Sequence, residues 1–286
     1  MLKKIINNTP FFKKSKKLLV GNEKSDDSAV YKLSNSKAIV ASTDFFTPIL
    51  DDPEHFGKIA ATNALSDIYA MGAKPIFALA LLSAPLDRVP INIIKKITSG
   101  GTKVCSNAGI MIAGGHTIKS KELIYGLVVI GEINTKKIIK NTGAKSGDKI
   151  ILTKPLGIGI LSSAIKKGLI LKKQYKDMIK VTMQLNNCGE ILAKENLVSS
   201  MTDITGFGLI GHLKEMCDAS NKTAVINYKE IPLISGVENL VNKNIHTHAS
   251  ITNLKNVKKV IRFSKKISKN QKFILSDPQT SGGLMI

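Results

Sequence analysis

The stretch IAATNALSDIYAMGAKP, Ile59 to Pro75, carries a helical pattern: Ala61, Ala64 with Leu65, Ile68 and Met71 recur at i, i+3/i+4 spacing. Asn63 and Asp67 stand four residues apart and so neighbour each other on a different face. Ala60, Ala61, Ala64 and Gly72 are small enough for another backbone to approach closely. An ionisable Asp among such neighbours is costly unless partnered, and a metal ion or a phosphate-bridging cation would be such a partner. The alternative is an exposed Asp on an ordinary surface helix. From this stretch alone both readings stand.

Outward from the helix, one pattern repeats: an apolar strand with a carboxylate at its mouth. Asp26 and Asp27 precede a strand-like run ending at Tyr31, and the strand Ala38–Thr43 ends at Asp44. A strand Ile76–Leu82, a helix near Ile91–Ala108 and a strand Leu123–Gly131 follow, with AGGHT (Ala113–Thr117) between the last two. Asn134–Asp148 is polar, carries two glycines and reads as a linker. Beyond it, Lys149–Gly159 reads as strand, turn and a helix starting near Ile158, and a longer helix is expected over Gln174–Glu195. Met201–Leu213 reads as a loop feeding a helix, Ile231–Asn270 shows no firm pattern, and SDPQTSGGLMI stops within a strand. Strands alternating with helices through both halves indicate α/β or α+β in two domains.

The composition narrows the function classes. The 286 residues suffice for two cores, and 43% hydrophobic content is that of a globular chain. No apolar run reaches membrane-spanning length. The basic amino terminus lacks the apolar region and cleavage site of a signal peptide, so a soluble, cytoplasmic protein is expected. Cys105, Cys188 and Cys217 are scattered without a CxxC pair, against a disulfide framework or zinc cluster. The net charge of +21 rests almost wholly on lysine, Arg88 and Arg262 being the two arginines. Without arginine forks or interleaved aromatics, no dedicated nucleic-acid binding is expected.

Chemistry-bearing motifs point to phosphate and a hard cation. No P-loop string occurs. Gly206–Gly211, GFGLIG, matches a dinucleotide fingerprint with Glu230 near the required distance, but Asp203 just before it would repel a pyrophosphate unless a cation bridged them. Asp27, Asp44, Asp67 and Asp203 recur beside glycine or small residues. Separated carboxylates without a His/Cys cluster suit Mg²⁺ and a polyphosphate better than zinc. Gly114–Thr117 offers backbone N–H groups for a phosphate. Singly, each Asp reads more readily as a cap or turn residue, and His116 and the cysteines as packing residues; the joint occurrence of the acids favours the site.

Taken together, LLVGNEKSDDSAVY, STDFFTPILDDPEHFGKIAATNALSDIYAMGAKP, AGGHTI, LTKPLGIGIL, MTDITGFGLIGHLKEM and SDPQTSGG resemble the selenophosphate synthetase (selenide, water dikinase) family of AIR-synthetase-like ATP-binding proteins, from about Leu18 to Ile286. The resemblance implies conversion of ATP, selenide and water to selenophosphate, AMP and phosphate, with ATP as substrate and Mg²⁺ as cofactor. It implies Asp27, Asp67 and Asp203 as metal ligands, and Lys24, Ser25, Asp26, Asp44, Asp67, Gly115, His116 and Thr117 at ATP. It implies a two-domain fold: a basic arm over 1–20, an ATP-binding domain over 21–134 and an α/β domain over 149–286. Four amino-terminal strands would pair with those of a second copy to close a barrel, giving a homodimer. The family's Cys or selenocysteine, with a Lys three residues on, lies in a glycine-rich segment upstream of LLVGNE. Lys3, Lys4 and Lys13 lack that context, so no catalytic residue is carried over, and the nucleophile is expected upstream of Met1. The family also continues beyond SDPQTSGG, and a chain read from a longer protein is the expectation. The competing readings are a nucleotide-binding, catalytically incomplete chain or dimer partner, another kinase or ligase of the superfamily, and a basic nucleic-acid module.

Overall fold

The computed structural model describes residues 15–21 and 26–286. Lys24 and Ser25, and most of the expected basic arm, lie outside the described residues. The end of that arm is a strand instead: β1 (Leu18–Val20) pairs antiparallel with β2 (Ala29–Lys32). With β3 (Lys37–Phe46), β4 (Lys74–Ala84), β5 (Met111–Lys119) and β6 (Ile124–Asn134) they form a six-stranded sheet of order β1-β2-β3-β6-β4-β5. All pairings are antiparallel except β4 with β5, which are parallel. A parallel pair needs a crossover, and α2 (Ile91–Asn107) supplies it.

The opening stretch lies within α1 (Pro53–Ala70). Asp52 caps its start, accepting from the His55 N–H at 2.7 Å, with Pro53 in the first turn where a missing N–H costs nothing. The helix stops in a left-handed turn at Gly72 (φ 75°). Gly72 N–H bonds the Tyr69 carbonyl at 2.9 Å and Ala73 N–H the Ile68 carbonyl at 3.0 Å, satisfying two terminal carbonyls. The expected apolar stripe is buried, but so is nearly all of the rest: Asn63, Ser66 and Thr62 are covered as fully as Ile68. α1 is thus a central helix, between the sheet, α2 and the carboxy-terminal helices. Its approach to α2 is backbone-close. A Cβ on Gly57 would collide with the Ile97 carbonyl, and one on Gly100 with that of Glu54.

Strand alternation sets which face meets α1. Val40, Ser42 and Asp44 of β3 share that face with Leu127 and Val129 of β6. The opposite face carries Thr43, Phe45, Phe77, Leu79, Leu81, Val128 and Ile130, and Phe45 is 51% exposed.

The remaining chain forms α3 (Ile158–Lys166), α4 (Lys172–Thr182), α5 (Cys188–Lys194), β7 (Thr202–Asp203), α6 (Gly208–Ser220), α7 (Val237–Asn242), α8 (His248–Val257), α9 (Lys269–Leu275) and β8 (Leu284–Met285), the last antiparallel to β7. Four expectations are corrected. AGGHT, expected only as the piece between a helix and a strand, is itself the middle of β5, an edge strand. The helix expected over Gln174–Glu195 is two, α4 and α5, broken where Asn186 turns its side chain inward to hydrogen-bond Ser66 and Gly282. The strand expected from Lys149 shrinks to one bridge, Leu152 with Met285. Ile231–Asn270 is not patternless: it carries α7, α8 and the start of α9, whose short buried faces gave little periodicity. Cys105 is buried and Cys188 and Cys217 are partly buried, all as free thiols. Among the described residues no helix is long and apolar enough to cross a membrane.

Candidate functional site

Three elements and the segment before β2 bring carboxylates to one place. α1 presents Asn63 and, one turn on, Ser66 and Asp67; β3 presents Ser42 and Asp44 beneath them; β7 presents Asp203, and the segment before β2 presents Asp27. Ser42 Oγ donates to Asp67 Oδ2, and Asn63 Nδ2 donates to Asp44 Oδ2. Thr202 Oγ1 donates to Asp27 Oδ1 at 2.7 Å, and the Ser66 hydroxyl lies near enough to Asp203 to favour its charge. Asp203 is 2% exposed and forms the floor, whereas Asp27, Asp44 and Asp67 keep partial access.

Burial and crowding govern their protonation. Desolvation, then the neighbouring Asp203 charge, raise the Asp27 and Asp67 carboxyls well above the ordinary range. The same two causes, in the same order, lift Asp44 to about 6. Burial raises Asp203 too, against Ser66, His212 and Lys154, which favour its charge. Asp27 Oδ2 and Asp203 Oδ2 are buried without a hydrogen-bond partner among the described residues. Crowded carboxylates with unpaired inward oxygens suit a cation. Among the described residues, no three His, Cys, Asp or Glu side chains gather closely enough to chelate a metal alone. Mg²⁺ fits that arrangement, since it commonly takes one or two carboxylates and completes its shell with water and phosphate oxygens.

The other expected residues are placed differently. Asp26 turns away: its Oδ1 accepts from the Asn141 N–H at 2.9 Å and so tethers the 135–157 connection. Gly115, His116 and Thr117 lie on β5. Asp44 pairs with Leu127, Leu127 with Ala80 and Ala80 with Gly115, so Gly115 is three strands away, about 14 Å. One chain therefore does not bring them to the acids. GFGLIG is no dinucleotide loop: the strand before it spans two residues and pairs antiparallel. Gly208 (φ 67°) is needed because a Cβ would strike the Ser276–Asp277 backbone. His212, on α6, accepts the Thr205 N–H at its Nε2 (3.2 Å), which leaves the proton on Nδ1 facing Glu215 at 3.4 Å. That dyad holds the loop following Asp203.

The motif SDPQTSGG, quoted in the sequence without a role, locks the floor. Gln279 Oε1 accepts from the Gly157 and Ile158 N–H groups at 3.0 and 3.2 Å, and Asp277 Oδ2 from Ile160 N–H at 3.1 Å. The start of α3 is thereby capped by a fully buried acid, which burial lifts to about 7 against these bonds. Ser281 follows in a left-handed conformation (φ 55°), strained for a residue with a side chain. Its N–H donates to Asn63 Oδ1 at 2.7 Å, and its carbonyl accepts from Lys154 Nζ at 3.0 Å. Lys154 is 2% exposed, and burial pushes its amine down to about 7. Sequence reading missed Ser42, Ser66, Lys154, Asn186 and Ser281 as parts of the site. In a chain so rich in surface lysine, nothing in the pattern separates Lys154 from the others.

Residues 25–133 match the model for the AIR synthase related protein, N-terminal domain, and residues 145–261 that for the C-terminal domain. The chain is 49% identical over 269 residues to a "Selenide, water dikinase" of Dechloromonas aromatica (strain RCB), covering 94% of this chain and 77% of that one. It is equally similar, at 49% over 269 residues, to the same-named protein of Pseudomonas straminea, covering 94% and 75%. Its fold resembles thiamine-monophosphate kinase from Stenotrophomonas maltophilia K279a (TM-score 0.66, 17% identity, 95% of this chain and 80% of that one). It also resembles hydrogenase maturation protein HypE in complex with ATP (TM-score 0.66, 18% identity, 86% and 67%). The chain has the two-domain AIR synthase related fold and belongs to the selenide, water dikinase family.

Proposed function

We propose that this chain catalyses the ATP-dependent synthesis of selenophosphate: ATP, selenide and water give selenophosphate, AMP and orthophosphate. The observation that carries the reading to particular residues is the convergence of Asp27, Asp44, Asp67 and Asp203, from three elements and the segment before β2, onto one desolvated site. Phosphoryl transfer needs positioning and neutralisation of charge more than covalent chemistry from the protein. Asp27, Asp67 and Asp203 would hold Mg²⁺, no more than two of them to any one ion, and the metal when bound would offset the charge of the polyphosphate. Asp44, oriented by Asn63, and Asp67, oriented by Ser42, face the nucleotide side. The Asp203 floor and its covering β7–β8 pair keep water from behind the carboxylates, which strengthens every charge interaction in the site. Relatives 49% identical bear the enzyme's name, which favours this reading over that of a nucleotide-binding partner without turnover.

A homodimer completes the proposal. The sheet face away from α1 is apolar and partly exposed, and β5 offers an unpaired edge with Met111 70% and Ile118 50% exposed. Pairing of two such sheets would cover both features. It would also supply a route for Gly115–Thr117 to reach a nucleotide other than through their own chain's acids. Phosphorus NMR of the protein with ATP, Mg²⁺ and selenide tests the activity. Selenide-dependent appearance of selenophosphate and AMP, lost in Asp67→Asn, supports it. ATP turnover to ADP alone, or turnover driven by thiamine monophosphate instead of selenide, overturns it.

A further inference from the structure

Lys154 is a fully buried amine whose hydrogen-bond partner among the described residues is a neutral carbonyl, that of Ser281 at 3.0 Å, with the Asp203 carboxyl near enough to interact with its charge but not bonded to it. Such a group costs stability relative to an apolar side chain of the same length. The residue it holds is strained as well, at φ 55°, and a Cβ on the following Gly282 would collide with the Ile204 carbonyl. Cost and strain in one turn call for a compensating use, and the hydrogen bonds trace it. The Ser281 N–H donates to Asn63 Oδ1 at 2.7 Å, which leaves the Asn63 amide nitrogen facing Asp44. Beside it, Asn186 Nδ2 donates to the Gly282 carbonyl at 2.9 Å and to Ser66 Oγ at 2.8 Å, and the Ser66 hydroxyl favours the Asp203 charge. One turn thus reaches two carboxylates of the site through buried amides.

We infer that Lys154 is a positioning residue: by gripping the Ser281 carbonyl it aims the Ser281 N–H at Asn63 and fixes the Asn63 amide against Asp44. The inference rests on the reading of the acid cluster as a magnesium–nucleotide site. Its test pairs two readouts, MgATP affinity by calorimetry and thermal unfolding of the metal-free protein. Both are applied to wild type, Lys154→Met, Asn63→Ala and the double variant. Lys154→Met should melt at or above wild type while binding MgATP about tenfold more weakly, the cost typical of losing an outer support of a ligand group. Because both residues act through Ser281, the double variant should bind no more weakly than the worse single variant.

Unchanged affinity in Lys154→Met, additive losses in the double variant, or a Lys154→Met protein that melts lower or fails to fold would each overturn the inference and make the lysine a strut. Asp67→Asn separates the two levels of the argument. If it binds MgATP as well as wild type does, the site reading fails, and the Lys154 inference falls with it.

Discussion

Asp203 illustrates how one residue can be set against the fold that carries it. Its carboxyl is buried, one oxygen is unpaired among the described residues, and three further acids stand around it. Without a cation the charge is a liability, so Asp203→Asn should stabilise the metal-free protein by about 1–2 kcal/mol, a rise of several degrees in melting temperature, while abolishing Mg²⁺-dependent nucleotide binding. Asp44 extends the point to pH. A carboxyl whose pKa is higher folded than unfolded stabilises the fold only while protonated. For Asp44 that contribution is whole below about pH 4 and is lost as pH climbs through about 6. Metal-free wild type should therefore lose ground to Asp44→Asn across that window and hold a constant deficit above it, as read from melting temperatures in a pH series. A deficit that shrinks with rising pH would contradict the assignment.

Among the elements, α1 organises both core and site, and its existence was legible from the i, i+3/i+4 stripe alone, while its start at Asp52–Pro53 and its stop at Gly72 were shown by the structure. Its burial on every side was not, because a polar face carrying Asn63 and Asp67 fits a solvent face and a covered site equally until a second element is seen to cover it. β5 misled for a related reason, since glycines that suggest a phosphate loop also suit a strand pressed against its neighbour; a Cβ on Gly115 would collide with the Ala80 backbone. The acids were legible as a recurring pattern, while Lys154 and Ser281 join the site only through tertiary contacts. The α1–α2 seam gives an element-scale test: Gly57→Ala should cost about 2–3 kcal/mol in urea unfolding, since the Ile97 backbone cannot move aside. Asp277→Ala, which removes the buried cap of α3, should cost about 2–4 kcal/mol. A loss below about 0.5 kcal/mol in either variant would mean that the contact is not formed as described.

At the scale of the whole molecule, the apolar outer face of the sheet leads to an association state. Light scattering should give twice the chain mass of 30.9 kDa, and Ile130→Lys, a charge in the middle of that face, should give the single chain. A monomeric wild type would contradict the proposed homodimer. The acid cluster remains the centre of the account, and the magnesium dependence of ATP binding tests it most directly. Four carboxylates repel a naked polyphosphate and welcome it only through a cation. Calorimetric titration of ATP with and without Mg²⁺ should therefore show affinity rising roughly a hundredfold with the metal. ATP that binds as tightly in chelator as in magnesium would contradict a site built on Asp27, Asp67 and Asp203.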